Sequence, residues 1–183
     1  MKNKKIFTVS VLSAAILTAA VTMSAVAYFA DKDSAKNNIT IGKNDISIVE
    51  NFSEPESMSP GDTIVKEPVV KVSGTDCYVR MFCEFDDSNV TYANLDFNTT
   101  DWTTKQPDGY YYYKHKLSDG ETTKPLFTKV RIDDTVADES ITDFNIIIYS
   151  ESAQVYDTYN HEEFKDYKEA WKFWEQRKGA DES

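Results

Sequence analysis

The chain has 183 residues, 20 of them basic and 31 acidic, for a net charge of −11. That balance opposes binding to nucleic acid or to anionic membrane surfaces, both of which need a basic patch, so no nucleic-acid partner is expected. With only 2 His and 2 Cys, imidazole chemistry and a dense disulfide scaffold both have little to draw on.

The N-terminus reads as a leader. Lys2, Lys4 and Lys5 form a positive start, and residues 6–29 are uncharged and rich in Ala, Val and Leu. Ala25-Val26-Ala27 gives the small-x-small pattern that signal peptidase accepts, because only small side chains fit its specificity pockets. Cleavage is expected after Ala27, with residues 1–27 as signal peptide and a mature chain that starts at Tyr28. An uncut run would be long enough to span a bilayer, which takes roughly 20 apolar residues. However, Ser10, Ser13, Thr18, Thr22 and Ser24 dilute it, and either way the remainder is exported. Losing the three leader lysines takes the net charge from −11 to −14. About 156 residues are left, enough for one core and one domain. The C-terminal QRKGADES carries no hydrophobic tail, so neither a second span nor a wall-sorting signal is expected.

The mature chain is mostly β in pattern. An N-terminal arm, 28–42, holds a short strand-former at Ile39, Thr40 and Ile41, and a second strand is expected at 46–49. SMSPGDT reads as a turn, since Pro60 presets φ and Gly61 supplies the permissive position after it. TIVKEPVVKVS is one bent strand or a pair, with Pro68 marking an edge or bulge. In CYVRMFCEF the period-2 set Cys77, Val79, Met81, Cys83 and Phe85 faces the core. Tyr78, Arg80, Phe82 and Glu84 take the other face, which Phe82 suggests is partly covered. Six residues along one strand separate the two cysteines by about 20 Å, against the roughly 4.4–6.8 Å that a bridge requires. They are expected to be buried thiols, in a fold held by its core and not by staples.

From residue 86 to 107 the pattern dissolves into a long loop or irregular helix that contains Trp102. GYYYYKHKL is a strand, DGETTKPLF a polar turn, and TKVRID and ITDFNIIIYSESAQVY complete the sheets. The last element, 161–178, places Phe164, Tyr167, Ala170, Trp171 and Trp174 on one helical stripe, with Asn160 and Glu163 as a capping box. About eight short strands and one terminal amphipathic helix give a mostly β fold: a jelly-roll-like antiparallel β-sandwich over 43–183.

Motifs for chemistry are scarce. His161-Glu162-Glu163-Phe164-Lys165 begins an H-E-x-x-H zinc pattern, but Lys165 stands where the second imidazole must be. His115 lies among lysines in an expected strand. Asp31-Lys32-Asp33-Ser34-Ala35-Lys36 resembles a calcium loop and fails at Ala35 and Lys36. Asp86-Asp87 and Asp133-Asp134 are a carboxylate alternative for Ca²⁺, with solvated loop charges as the simpler reading. No nucleophile elbow, P-loop or dinucleotide fingerprint occurs, so no catalytic residue, metal ligand or cofactor is assigned. Asn38, Asn51, Asn89 and Asn98 open sequons, coincidental on a bacterial export route. Tyr110, Tyr111, Tyr112 and Tyr113 put two rings on each face of a strand. Either one face is core and the other lies under the terminal helix, or exposed rings stack on sugars.

Several of these stretches together resemble the TasA/camelysin family, exported by Gram-positive bacteria through the signal peptidase SipW. AVAYFADKDSAKNNITIG is similar to its leader junction, with Ala27, the aromatic pair Tyr28-Phe29 and the Asp31-Lys32-Asp33 turn. SPGDTIVKEPVVKVSGTDCYVRM resembles its Pro-Gly turn, Gly-containing turn and YVR strand. DGYYYY, DGETTKPLFTKVRI and IIIYSESAQVYDTY with the later EAW are similar to its following segments. Val72-Ser73-Gly74 departs from the Asn-Thr-Gly that members often carry. The resemblance implies a secreted jelly-roll matrix protein that self-associates into extracellular biofilm fibres. Its expected partners are SipW during export and other matrix or cell-wall components. The resemblance also carries the metalloprotease label given to camelysins.

The residues suggest how fibres would form. An edge strand lacking a complement exposes unpaired N–H and C=O groups. The arm of one subunit, through Ile39, Thr40 and Ile41, would satisfy them on the next by strand addition. Such a head-to-tail contact does not close on itself and propagates as a filament.

Overall fold

A computed structural model describes residues 40–41, 45–50, 52–53, 55, 57–157 and 160–181. All of them belong to the unit Lys36–Ser183. Ala25, Ala27, Tyr28 and Ile39 lie outside the described residues.

The described chain is mostly β with one C-terminal helix. The strands are β1 (Thr40–Ile41), β2 (Asp45–Val49), β3 (Thr63–Val65), β4 (Val69–Ser73), β5 (Cys77–Phe85) and β6 (Ala93–Leu95). They continue with β7 (Tyr110–Tyr112), β8 (Lys129–Ile132), β9 (Ile146–Gln154), β10 (Tyr156–Asp157) and β11 (Glu162–Glu163), and the helix α1 covers Tyr167–Asp181. The largest sheet has the order β1-β9-β5-β7; β3-β8-β6, β2-β4 and β10-β11 form the others. Every ladder is antiparallel except β1 on β9, which is parallel.

Local chemistry sets the breaks. Gly61 takes φ +84, a conformation that costs glycine little, and Asp62 N–H closes the turn on Ser59 O at 3.1 Å. TIVKEPVVKVS is two strands in different sheets, β3 against β8 and β4 against β2. Buried Pro68 lies between them, and with no N–H it cannot continue a ladder.

β5 is the centre of the molecule. Its Cys77, Val79, Met81 and Cys83 are buried in one cluster with residues of β2, β4, β6, β7 and β8. Its opposite face begins with Tyr78, which joins Tyr112, Ala153, Ala170, Trp171 and Trp174 in a second cluster under α1. Cys77 and Cys83 are both free and buried. Thus the four consecutive tyrosines divide: Tyr111 and Tyr113 enter the first cluster and Tyr112 the second.

Two regions differ from the sequence reading. The 86–107 stretch contains β6, and Trp102 is a core residue with no exposed surface. Asn98 Oδ1 accepts from Thr100 N and Asp101 N at 3.0 and 3.1 Å, which turns the chain inward. Trp102 Nε1 then donates to Lys124 O at 2.9 Å. The helix also starts later than 161. Glu162–Glu163 pair with β10, and His161 takes φ 57, a left-handed conformation that no α-helix contains. The cap is displaced to Asp166, whose Oδ1 accepts from Glu169 N at 3.0 Å, while Glu169 Oε2 accepts from Lys165 N at 2.8 Å. Asn160 instead donates to Asp157 Oδ2 at 2.7 Å.

Candidate functional site

Strand β9 is long, nine residues, because Ile146 to Gln154 all pair with β5 on one side. Its other edge is occupied over two residues, Ser152 by Thr40 and Ala153 by Ile41. Among the described residues no strand ladders against that edge from Ile146 to Glu151. So Thr40 and Ile41 stand as an edge strand on the large sheet, and the open groups beside them continue the same edge. Ser152, the partner of Thr40, carries a buried Oγ with no hydrogen-bond partner.

Beneath the helix-facing side of β9 lies the most charged interior of the protein. Arg80 on β5 faces Glu151 on β9, and both side chains are 6% exposed. Arg80 Nε and Nη2 approach Glu151 Oε2 at 2.8 and 2.6 Å. Nη1 donates to Tyr112 Oη at 2.9 Å and to Glu175 Oε1 of α1 at 2.5 Å. The guanidinium is sandwiched between the Tyr110 ring at 4.0 Å and the Trp171 ring at 4.1 Å. Burial by itself would lower the Arg80 pKa, but the Glu151 carboxylate and the Glu175 hydrogen bond raise it further above its usual range. Tyr112 is raised by burial and by its hydrogen bond to Asp108. This constellation locks the helix onto the sheet through charge, hydrogen bonds and stacked rings together. Sequence reasoning placed Arg80 on the outer face of β5 but missed its burial. The only signal was an Arg between aromatic neighbours in a strand.

The residues considered for metal chemistry do not converge. Exposed His115 faces Asp101 at 3.4 Å, and His161 sits in the β10–β11 turn. Asp86 accepts from the Asn145 backbone and amide at 2.9 and 2.6 Å. Asp133 accepts from Thr135 N and Oγ1, both at 2.8 Å. Among the described residues, no three His, Cys, Asp or Glu side chains are grouped to hold a metal ion.

A family profile described as camelysin metallo-endopeptidase matches residues 2–106. The chain belongs to the TasA/camelysin family. The match runs through β6 and stops short of β7, so β9, the Arg80 partners Glu151 and Glu175, and α1 lie beyond it. No curated protein and no solved structure matches the chain. The family's description implies a catalytic metal, and the described residues do not fit one, because a protein site needs at least three convergent donors.

Proposed function

We propose that the chain is an exported matrix protein whose subunits join head to tail by strand donation. Signal peptidase SipW cuts after Ala27 and frees the arm 28–42, whose Ile39, Thr40 and Ile41 then lie along β9 of a neighbouring subunit. The described β-rich fold is read as a jelly-roll-like sandwich, and its products as extracellular biofilm fibres.

One observation carries this reading: β9 holds β1 in parallel over only two residues. An edge that binds this short segment from its own chain offers the same backbone groups to the segment of another. Exchange between copies then needs no new chemistry, only release of the arm. The leader in the precursor would restrain that arm until cleavage. Electron microscopy of the purified mature protein, with and without residues 28–42, tests the idea. Intact protein should polymerise and the deleted form should stay a folded monomer. Normal fibres from the deleted form would overturn strand donation, and no fibres from intact protein at any salt or pH would overturn the matrix reading.

The family's description supports a second reading, a metallo-endopeptidase. Chelator-sensitive proteolysis by the purified protein, free of other proteases, would favour it over the first.

A further inference from the structure

We infer that the cleft between the β7 turn and helix α1 is a binding site for an uncharged saccharide. The cleft has a volume of about 660 Å³, within the range of roughly 300–1,000 Å³ typical of ligand pockets. Its walls include Asp108 on one side and Tyr167, Trp171, Lys172, Glu175 and Gln176 of α1 on the other.

Three features select the ligand. The first is an orphaned donor: Trp171 is 3% exposed, yet its indole N–H has no hydrogen-bond partner. The other two tryptophans are satisfied, Trp102 by Lys124 O and Trp174 by Gln154 O. A buried unpaired donor in a cleft wall marks a place where a ligand or water oxygen belongs. The second feature is charge. The lining holds two acids, Asp108 and Glu175, and two bases, Lys168 and Lys172, while Arg80 and Glu151 neutralise each other beneath. A balanced lining gives no net attraction to an anion or a cation. The third is the kind of polar group. Carboxylate, amide and ammonium side chains side by side, with the half-buried Tyr167 ring next to them, suit a ligand that donates and accepts through many hydroxyls and presents an apolar C–H face. Such a site works in a monomer and does not depend on strand donation.

Affinity electrophoresis of the mature protein through gels holding a neutral glucan, a neutral galactomannan or an N-acetylglucosamine polymer tests the proposal. Alginate and chitosan serve as the anionic and cationic arms. At least one neutral glycan should retard the protein. Titrating its soluble oligomer should move the indole N–H resonance of Trp171, assigned with Trp171→Phe, while those of Trp102 and Trp174 stay in place. Gln176→Ala is a change at an exposed position and should weaken binding about five- to tenfold, the worth of one hydrogen bond. Trp171→Phe should weaken it at least as much. Retardation by no neutral glycan, or by alginate or chitosan alone, overturns the site. So does binding left unchanged by Gln176→Ala, which decides the matter even where Trp171→Phe fails to fold. A Trp171 resonance that answers to a peptide of residues 28–42 and to no glycan assigns the cleft to assembly and also overturns it.

Discussion

Replacing Arg80 with Met would strand the Glu151 carboxylate in a place built for a charge pair. Both side chains are 6% exposed, so water cannot substitute for the lost guanidinium. Removing one partner of such a buried pair costs about 3–5 kcal/mol, because the remaining charge has no compensation. Asp108 and Glu175 also approach Arg80, but their side chains are 37% and 46% exposed and solvent screens them. The loss therefore centres on Glu151. For a chain of this length, 3–5 kcal/mol corresponds to a fall in Tm of about 6–20 °C. The double variant Arg80→Met with Glu151→Met replaces charge by apolar volume and should recover most of that loss, since buried pairs exchanged for hydrophobic residues are commonly neutral. Urea denaturation followed by circular dichroism measures all three proteins. A loss under 1 kcal/mol for Arg80→Met, or a double variant no better than the single, would refute the view that this pair is an interior charge held by its partner.

The cysteines should be inert in the native protein, because both are buried and burial pushes the Cys83 thiol up to about 12; denatured, unreduced protein should react with two equivalents of thiol reagent. Asp166→Ala should lower stability by about 1 kcal/mol through loss of the helix cap, whereas Asn160→Ala should leave the helix intact; reversal of these effects in thermal melts would restore the earlier cap assignment. Ile39→Asp with Ile41→Asp should abolish polymerisation, since burying one such side chain is worth roughly 1.5–3 kcal/mol, and high salt should promote assembly of intact protein by screening mutual repulsion; light scattering reads both. Burial raises the Asp96 pKa, but hydrogen bonds from Thr128 and Lys129 outweigh it and hold the carboxylate below its ordinary 3.8. Asp96 thus adds stability above about pH 4 that is lost as pH falls through its folded pKa, and Asp96→Asn should flatten that acid limb of the stability curve.

Much of the fold was legible in local pattern. The alternation in CYVRMFCEF announces β5 because side chains on a strand point to opposite faces in turn, and the structure buries the period-2 set it marks. Pro60-Gly61 and Pro68 act on their own backbone and need no partners to do so. The stripe of Ala170, Trp171 and Trp174 fixes a helix and its buried face. What depends on neighbours was not legible. Ala93–Leu95 has no strand pattern and becomes β6 by pairing with β8. The Asn160 and Glu163 capping pattern yields to the β10–β11 ladder, and only there does His161 turn left-handed. Arg80 reads as an exposed strand residue. It is buried because Glu175, 95 positions away, brings a helix down over it. Sequence alone thus determined the elements whose cause lies within a few residues. Tertiary structure decided which edge of β9 receives the arm and which charge is sealed inside, because both follow from contacts between segments far apart in the chain.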